Sequence, residues 1–187
     1  MFIDLTTLIT PEMVKDVQGN EAKALVGHLG THFDIMDKEF PLAYLERDAV
    51  VFDVSTIRDR DIEIEDIDLN KVNNEMFVAF YTGFIEEVGY GNKVYFTKHP
   101  QLSNDLIEAL IALKVSIIAI DCAGIRKGVE HTPIDQYCAN NDVFVVENIC
   151  NLKTLLDGNK NQEFIANTYP LKYSNMTGIP CRVVAKR

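Results

Sequence analysis

Two short, almost uninterrupted apolar runs, VSIIAI at 115–120 and VFVV at 143–146, restrict the fold of this chain more than anything else in it. Strands that are apolar on both faces are buried on both faces, the pattern of a parallel sheet covered by helices. Between the two runs, Thr132-Pro133 reads as an N-cap followed by proline at the first helical position of a short helix ending near Asn140. Strand, helix and strand with a short return imply a parallel pair joined by a right-handed crossover. The runs end at Asp121 and Glu147, so both carboxylates are expected at the carboxyl edge of one sheet, where ligand sites of α/β proteins collect.

Other segments fit that frame. Ala49–Val54 and Met76–Tyr81 read as further buried strands, and Phe2–Leu5 as a short first strand. Ser103 supplies N-cap chemistry for a helix whose apolar positions Leu106, Ile107, Leu110, Ile111 and Leu113 recur at helical spacing. The acid–isoleucine alternation from Arg58 to Asp68 predicts a half-exposed edge followed by a helix start near Glu65. Phe77, Phe80, Tyr81 and Phe84 read as core and interface. With no linker, repeat or low-complexity stretch, residues 1–187 are expected to form one α/β domain with a mixed sheet.

The charge balance narrows the partners. Eighteen basic against 28 acidic residues give a formal charge of −10, which repels phosphate backbones and argues against a nucleic-acid partner. A cation or a neutral small molecule fits better. No apolar run approaches the roughly 18 residues that span a bilayer, and MFIDLTTLITPEM lacks the basic start and apolar block of a signal peptide, so no membrane association and a cytoplasmic location are expected. Cys122, Cys138, Cys150 and Cys181 are far apart and without a CxxC pair, which predicts free thiols.

The densest chemical constellation is Gly27-His28-Leu29-Gly30-Thr31-His32-Phe33-Asp34. On a helix His28 and His32 would share a face and Asp34 would point away; on a strand His32 and Asp34 would share one. Gly30 argues for a turn that lets a loop histidine converge with two strand residues. Two imidazoles and a carboxylate suit Zn²⁺, Mn²⁺ or Fe²⁺ with positions left open for water and substrate. The alternative is a pair of hydrogen-bonded loop histidines with Asp34 capping a turn.

GHLGTHFD resembles the HxGTHxD signature of the cyclase/hydrolase family that includes bacterial kynurenine formamidase and isatin hydrolase. The resemblance extends to IDLT at the start, to the helix–strand segment KHPQLSNDLIEALIALKVSIIAIDCAG, to GVEHTPIDQYCANNDVFVVENICNLKTL, and to the tail PLKYSNMTGIPCRVVAKR. It implies a swivelling β/β/α architecture and a homodimer or homotetramer. It also implies a metal-dependent hydrolase of a small amide, formamide or cyclic amide, arylformamidase-like, that uses zinc or manganese. Carried across by motif, the metal ligands fall on His28, His32 and Asp34, and the family's later histidine and glutamate on His131 and Glu147, either of which is expected to take the water proton.

One position departs from the pattern. The family continues HxGTHxDAPxH, whereas here Asp34-Ile35-Met36-Asp37-Lys38 follows, with Lys38 at the place of the third histidine. An ammonium cannot ligate a metal, and 4 Å from a divalent ion it costs about 8 kcal/mol at an effective dielectric near 20. Lys38 therefore swings away and leaves a mononuclear site, or loses its proton and serves as a catalytic base, or marks a degenerate relative that binds metal and ligand without turnover. Asp37 is read as a solvated turn carboxylate, although it could substitute as a ligand. Asp121 is a candidate to orient a ligand histidine, Arg126 to meet a substrate carboxylate, and His99 to line a lid, each with an ordinary structural role as the alternative.

Overall fold

The apolar runs form the parallel middle of one sheet in the computed structural model, which describes residues 1–16 and 27–187. Its strands are β1 (Phe2–Asp4), β2 (His32–Asp34), β3 (Glu46–Asp53), β4 (Phe77–Tyr81), β5 (Ile117–Ile120), β6 (Phe144–Glu147), β7 (Asn161–Pro170) and β8 (Gly178–Lys186). Strands β3 to β6 are mutually parallel, and every residue of β4, β5 and β6 is buried, as their two-faced hydrophobicity demands. Strands β7 and β8 alternate buried and partly exposed positions and pair antiparallel.

That C-terminal pair closes the sheet. Strand β7 hydrogen-bonds β3, while β8 bonds β7, β2 over Gly178–Pro180, and β1 over Val184–Lys186. The result is a seven-stranded ring, β8-β2-β6-β5-β4-β3-β7, with β1 added on β8. The sheet is therefore closed and barrel-like, which removes the free edges an open sheet would expose.

The helices are α1 (Pro11–Asp16), α2 (Phe84–Val88), α3 (Lys93–Lys98), α4 (Asn104–Ala112), α5 (His131–Asn140) and α6 (Leu152–Leu156). One apolar cluster gathers Phe33, Ala49, Val51, Phe77, Ile117 and Val146 with Leu152, Leu155 and Leu156 of α6. A second packs Val50, Val78, Phe80, Ile118 and Val145 against Leu106, Ile107 and Leu110 of α4. The Ser103 hydroxyl accepts the Leu106 N–H at 3.1 Å, the predicted cap.

Two expectations are corrected. Helix α5 starts at His131, so Pro133 falls third, still within the first turn, where its missing N–H has no intrahelical partner to lose. Residues 58–68 form no strand: only the bridge Ile62↔Leu102 and a 3₁₀ turn at Ile64–Asp66 interrupt an irregular path, and Arg60 forks onto Asp66 at 2.6 and 2.7 Å.

Candidate metal centre

Strand β2 lies between β6 and β8, with His32 opposite Glu147 on one side and Pro180 on the other. Alternation sends Phe33 into the apolar cluster and His32 and Asp34 together to the other face. Because directly opposed residues share a face, Glu147 joins them, its Oε2 3.5 Å from His32 Nε2. The loop before β2 turns at Gly27 and Gly30, both with positive φ; a Cβ on Gly27 would stand 1.9 Å from the Gly178 carbonyl oxygen. The turn brings His28 Nδ1 to 3.0 Å from both His32 Nε2 and Asp34 Oδ1, the convergence of a loop histidine with two strand residues that Gly30 suggested.

The far nitrogens are held. His32 Nδ1–H donates to the Gly30 carbonyl at 2.8 Å, which turns Nε2 toward Asp34, and His28 Nε2 lies 2.9 Å from Thr177 Oγ1. The Gly30 peptide is itself fixed: its carbonyl also accepts from Asn148 Nδ2 at 2.9 Å, and its N–H donates to the Tyr90 hydroxyl at 2.8 Å.

A second group adjoins the first. His131 Nε2 lies 2.9 Å from Glu147 Oε1 and 3.2 Å from Asp135 Oδ2, and one donor atom from each of Asp34, His131, Asp135 and Glu147 falls within 4.8 Å of the others. Both oxygens of Asp34, Oε1 of Glu147 and Oδ1 of Asp135 are buried without an aligned hydrogen bond. Ionised carboxylates in that condition cost several kcal/mol each unless a positive charge compensates them, so the donor set fits a bound cation. Protons also compensate part of that charge. Burial lowers the His32 pKa, but Asp34 and then Glu147 reverse it and lift the imidazole to about 9. Burial likewise opposes the charge on His131, yet Glu147 raises it, while burial and the neighbouring Asp34 and Glu147 push the Asp135 carboxyl well above its ordinary range.

Five of the sequence-derived candidates, His28, His32, Asp34, His131 and Glu147, thus meet in one cluster. Lys38 does not: its Nζ lies 3.6 Å from Asp37 Oδ1 in the turn after β2, and among the described residues no hydrogen bond or ion pair joins it to those five. Asp37 in turn accepts from Gln136 Nε2 at 2.8 Å.

Three flanking residues have structural roles. Among the described residues Asp121 meets no histidine; its oxygens accept the Thr82 N–H (2.9 Å), the Thr82 hydroxyl (2.6 Å) and the Gly83 N–H (2.7 Å). Arg126 is neither a substrate fork nor solvated: it is 7% exposed and clamps Asp61, Glu130 and the Leu102 carbonyl. His99 is sealed rather than lid-like, donating from Nδ1 to the Pro100 carbonyl at 2.8 Å, and burial holds its pKa at about 4. Since the unfolded imidazole titrates near 6.5, the folded state loses stability as pH falls from 6.5 toward 4. The stability of the wild type relative to His99→Gln, from urea unfolding at pH 7.5 and 4, is therefore expected to drop by ~3 kcal/mol at the lower pH.

Sequence reasoning missed Asp135, Thr177, Asn148 and Gly124. Asp135 is one helical turn after His131, a visible signal once the helix is started at His131. Gly124 has φ +122, and a Cβ there would lie 3.1 Å from His131 Cε1, so the GIR segment needs glycine to seat that ring. Asn148 adopts φ +58 immediately after Glu147, a conformation asparagine tolerates.

The family model Cyclase matches residues 3–126, more than half of the chain and including the HLGTHFD loop. The chain belongs to the Cyclase family. Solved structures share the fold of this Cyclase member. A protein described as a potential metal-dependent hydrolase with cyclase activity is 20% identical, with TM-score 0.74 over 99% of this chain and 96% of that one. Isatin hydrolase A from Labrenzia aggregata is 17% identical, with TM-score 0.71 over 99% and 93%. The enzyme of the same name from Ralstonia solanacearum is 16% identical, with TM-score 0.73 over 99% and 91%. No curated protein matches the sequence.

Proposed function

We propose that this Cyclase-family chain is a metal-dependent hydrolase that opens a small amide, formamide or cyclic amide, arylformamidase-like. The observation that carries the reading is the convergence of His28 Nδ1, His32 Nε2 and Asp34 Oδ1 within 3.0 to 3.5 Å, with the opposite ring nitrogens tied down. His28, His32 and Asp34 would hold a divalent ion, zinc or manganese, which would supply Lewis acidity toward a water and the scissile carbonyl. Glu147 takes the water proton on Oε2, the oxygen that faces His32, and returns it to the leaving nitrogen. His131, 2.9 Å from Oε1, fixes the rotation of that carboxylate. The isatin hydrolases of the same fold act, by their name, on a cyclic amide, which supports this substrate class.

A binder without turnover is the second reading, favoured by Lys38, which leaves the third-histidine position without a ligand or base in the cluster. The net charge of −10 suits a neutral or cationic substrate and disfavours nucleic acid. Among the described residues no helix is long and apolar enough to cross a membrane. The cytoplasmic location is proposed on the make-up of the N-terminal segment and the four dispersed cysteines. Exposed Phe2, Leu8, Leu42 and Leu171 offer apolar area for a homodimer or homotetramer.

Elemental analysis followed by a screen of formyl-anilides and cyclic imides on metal-loaded protein tests the reading. Bound metal with turnover is expected. Bound metal with no turnover across the screen assigns the binder, and a protein that takes up no metal overturns both.

A further inference from the structure

Tyr95 has no part in the reaction just described, yet it is a fully buried tyrosine where packing alone would be served by phenylalanine. It lies on α3, whose first turn is capped by the Asn92 side chain accepting the Tyr95 N–H at 3.0 Å. Its ring packs among Phe84, Tyr90 and Phe96. A hydroxyl carried out of water is unfavourable unless it is hydrogen-bonded. Among the described residues this one has a single such partner, Asn148 Oδ1 at 2.7 Å. Burial keeps the hydroxyl protonated, so it donates, and the amide presents its oxygen there. The amide nitrogen is thereby turned to the Gly30 carbonyl, 2.9 Å away, the same oxygen that accepts His32 Nδ1–H at 2.8 Å. Turned over, the amide would set oxygen against oxygen at that place. Asn148 cannot swing aside as a whole, because the Thr7 and Thr31 hydroxyls both donate to its backbone carbonyl.

We infer that Tyr95 is a positioning residue for the metal centre: through the Asn148 amide it holds the Gly30 carbonyl where that carbonyl keeps His32 as the Nδ1–H tautomer with Nε2 directed to the ion. The line runs Tyr95 hydroxyl, Asn148 amide, Gly30 carbonyl, His32 imidazole, and every side chain in it is buried. Tyr90 grips the same glycine from the other side, accepting its N–H at 2.8 Å, and its ring lies edge to face with Tyr95 at 5.4 Å. Two aromatic side chains from one short stretch thus hold both backbone polar groups of a residue whose positive φ lets the loop turn. Among the described residues no hydrogen bond joins Tyr95 to His28, His32 or Asp34, so its influence on the ion passes through Asn148. The inference rests on the hydrolase reading only in taking His32 as a ligand of the ion.

Chelator-stripped protein titrated with Co²⁺, whose visible absorption reports both affinity and ligand geometry, tests it. Tyr95→Phe, which removes one oxygen and keeps the ring, is expected to bind Co²⁺ about fivefold more weakly with an altered visible band. Asn148→Gly, which tolerates the left-handed backbone and lacks the amide, is expected to lose about tenfold. The double variant is expected to bind no more weakly than Asn148→Gly, because the hydroxyl acts through the amide. If Asn148→Gly does not fold, proton–nitrogen NMR of the His32 ring in Zn²⁺-loaded Tyr95→Phe carries the test, with a displaced and faster-exchanging Nδ1–H expected. Wild-type Co²⁺ affinity in folded Tyr95→Phe, losses that multiply in the double variant, or an unmoved Nδ1–H overturns the inference. Equal Co²⁺ binding by wild type and Tyr95→Phe leaves the hydrolase reading standing. The expected losses without turnover in the substrate screen remove that reading and keep this one.

Discussion

His32→Ala is expected to lose metal retention and turnover together. His32 Nε2 lies at the middle of the cluster, 3.0 Å from His28 Nδ1 and 3.5 Å from both Asp34 and Glu147, and the residue is 1% exposed. The chain neighbours Gly30, Thr31 and Phe33 are themselves buried and hydrogen-bonded or packed, so none of these three replaces the lost imidazole. Altering only the outer partners of a metal ligand costs roughly 10–100-fold in affinity, so deleting the ligand is expected to cost more than 100-fold. Metal content by elemental analysis and turnover on the substrate found in the screen check it. A variant that keeps both removes His32 from the ligand set. His28, reached from a loop and partly exposed, is expected to show the smaller loss of the two.

The second large effect concerns folding. Asp121→Ala strips the acceptor from the Thr82 N–H, the Thr82 hydroxyl and the Gly83 N–H, all buried. Each buried donor left without a partner costs about 1–3 kcal/mol, so the loss of all three is expected to cost roughly 3–9 kcal/mol, a large part of a domain's usual 5–15. Burial pushes this carboxyl up to about 6 in spite of those hydrogen bonds, so it is mostly ionised at neutral pH and the bonds are charge-assisted. Asp121→Asn keeps the shape but turns an amide N–H₂ toward one set of donors, and an intermediate loss is expected. Guanidinium unfolding of the three proteins at pH 7.5 gives the order; an alanine variant within 1 kcal/mol of the wild type would contradict the account.

The centre was legible in the sequence where chemistry is local. His28, His32 and Asp34 lie within seven residues, and one glycine told of the turn that joins them. The parallel β5–β6 pair was legible too, because strands buried on both faces leave continuous apolar runs. Ring closure was not. Strand β7 mixes Asn, Gln and Glu with its apolar positions and β8 carries Pro180 inside it, so neither shows a clean strand pattern, and pairing with β3 and β2 is a long-range fact. Placing the helix cap at Thr132 put His131 outside the helix and hid its relation to Asp135. Asp121 and Arg126 drew functional readings because a charged residue at a strand end looks the same whether it meets a substrate or a backbone N–H. The direction of Lys38 depends on a turn whose partner, Asp37, is tied to α5 by Gln136.

Strand β2 is only three residues long and owes its place to neighbours far away in sequence, β6 on one side and β8 on the other. A newly made chain emerging from the ribosome therefore cannot fix the octet until β8 is made and the last stave is in place. Under the proposed function, binding of the metal would then follow closure of the barrel rather than precede it.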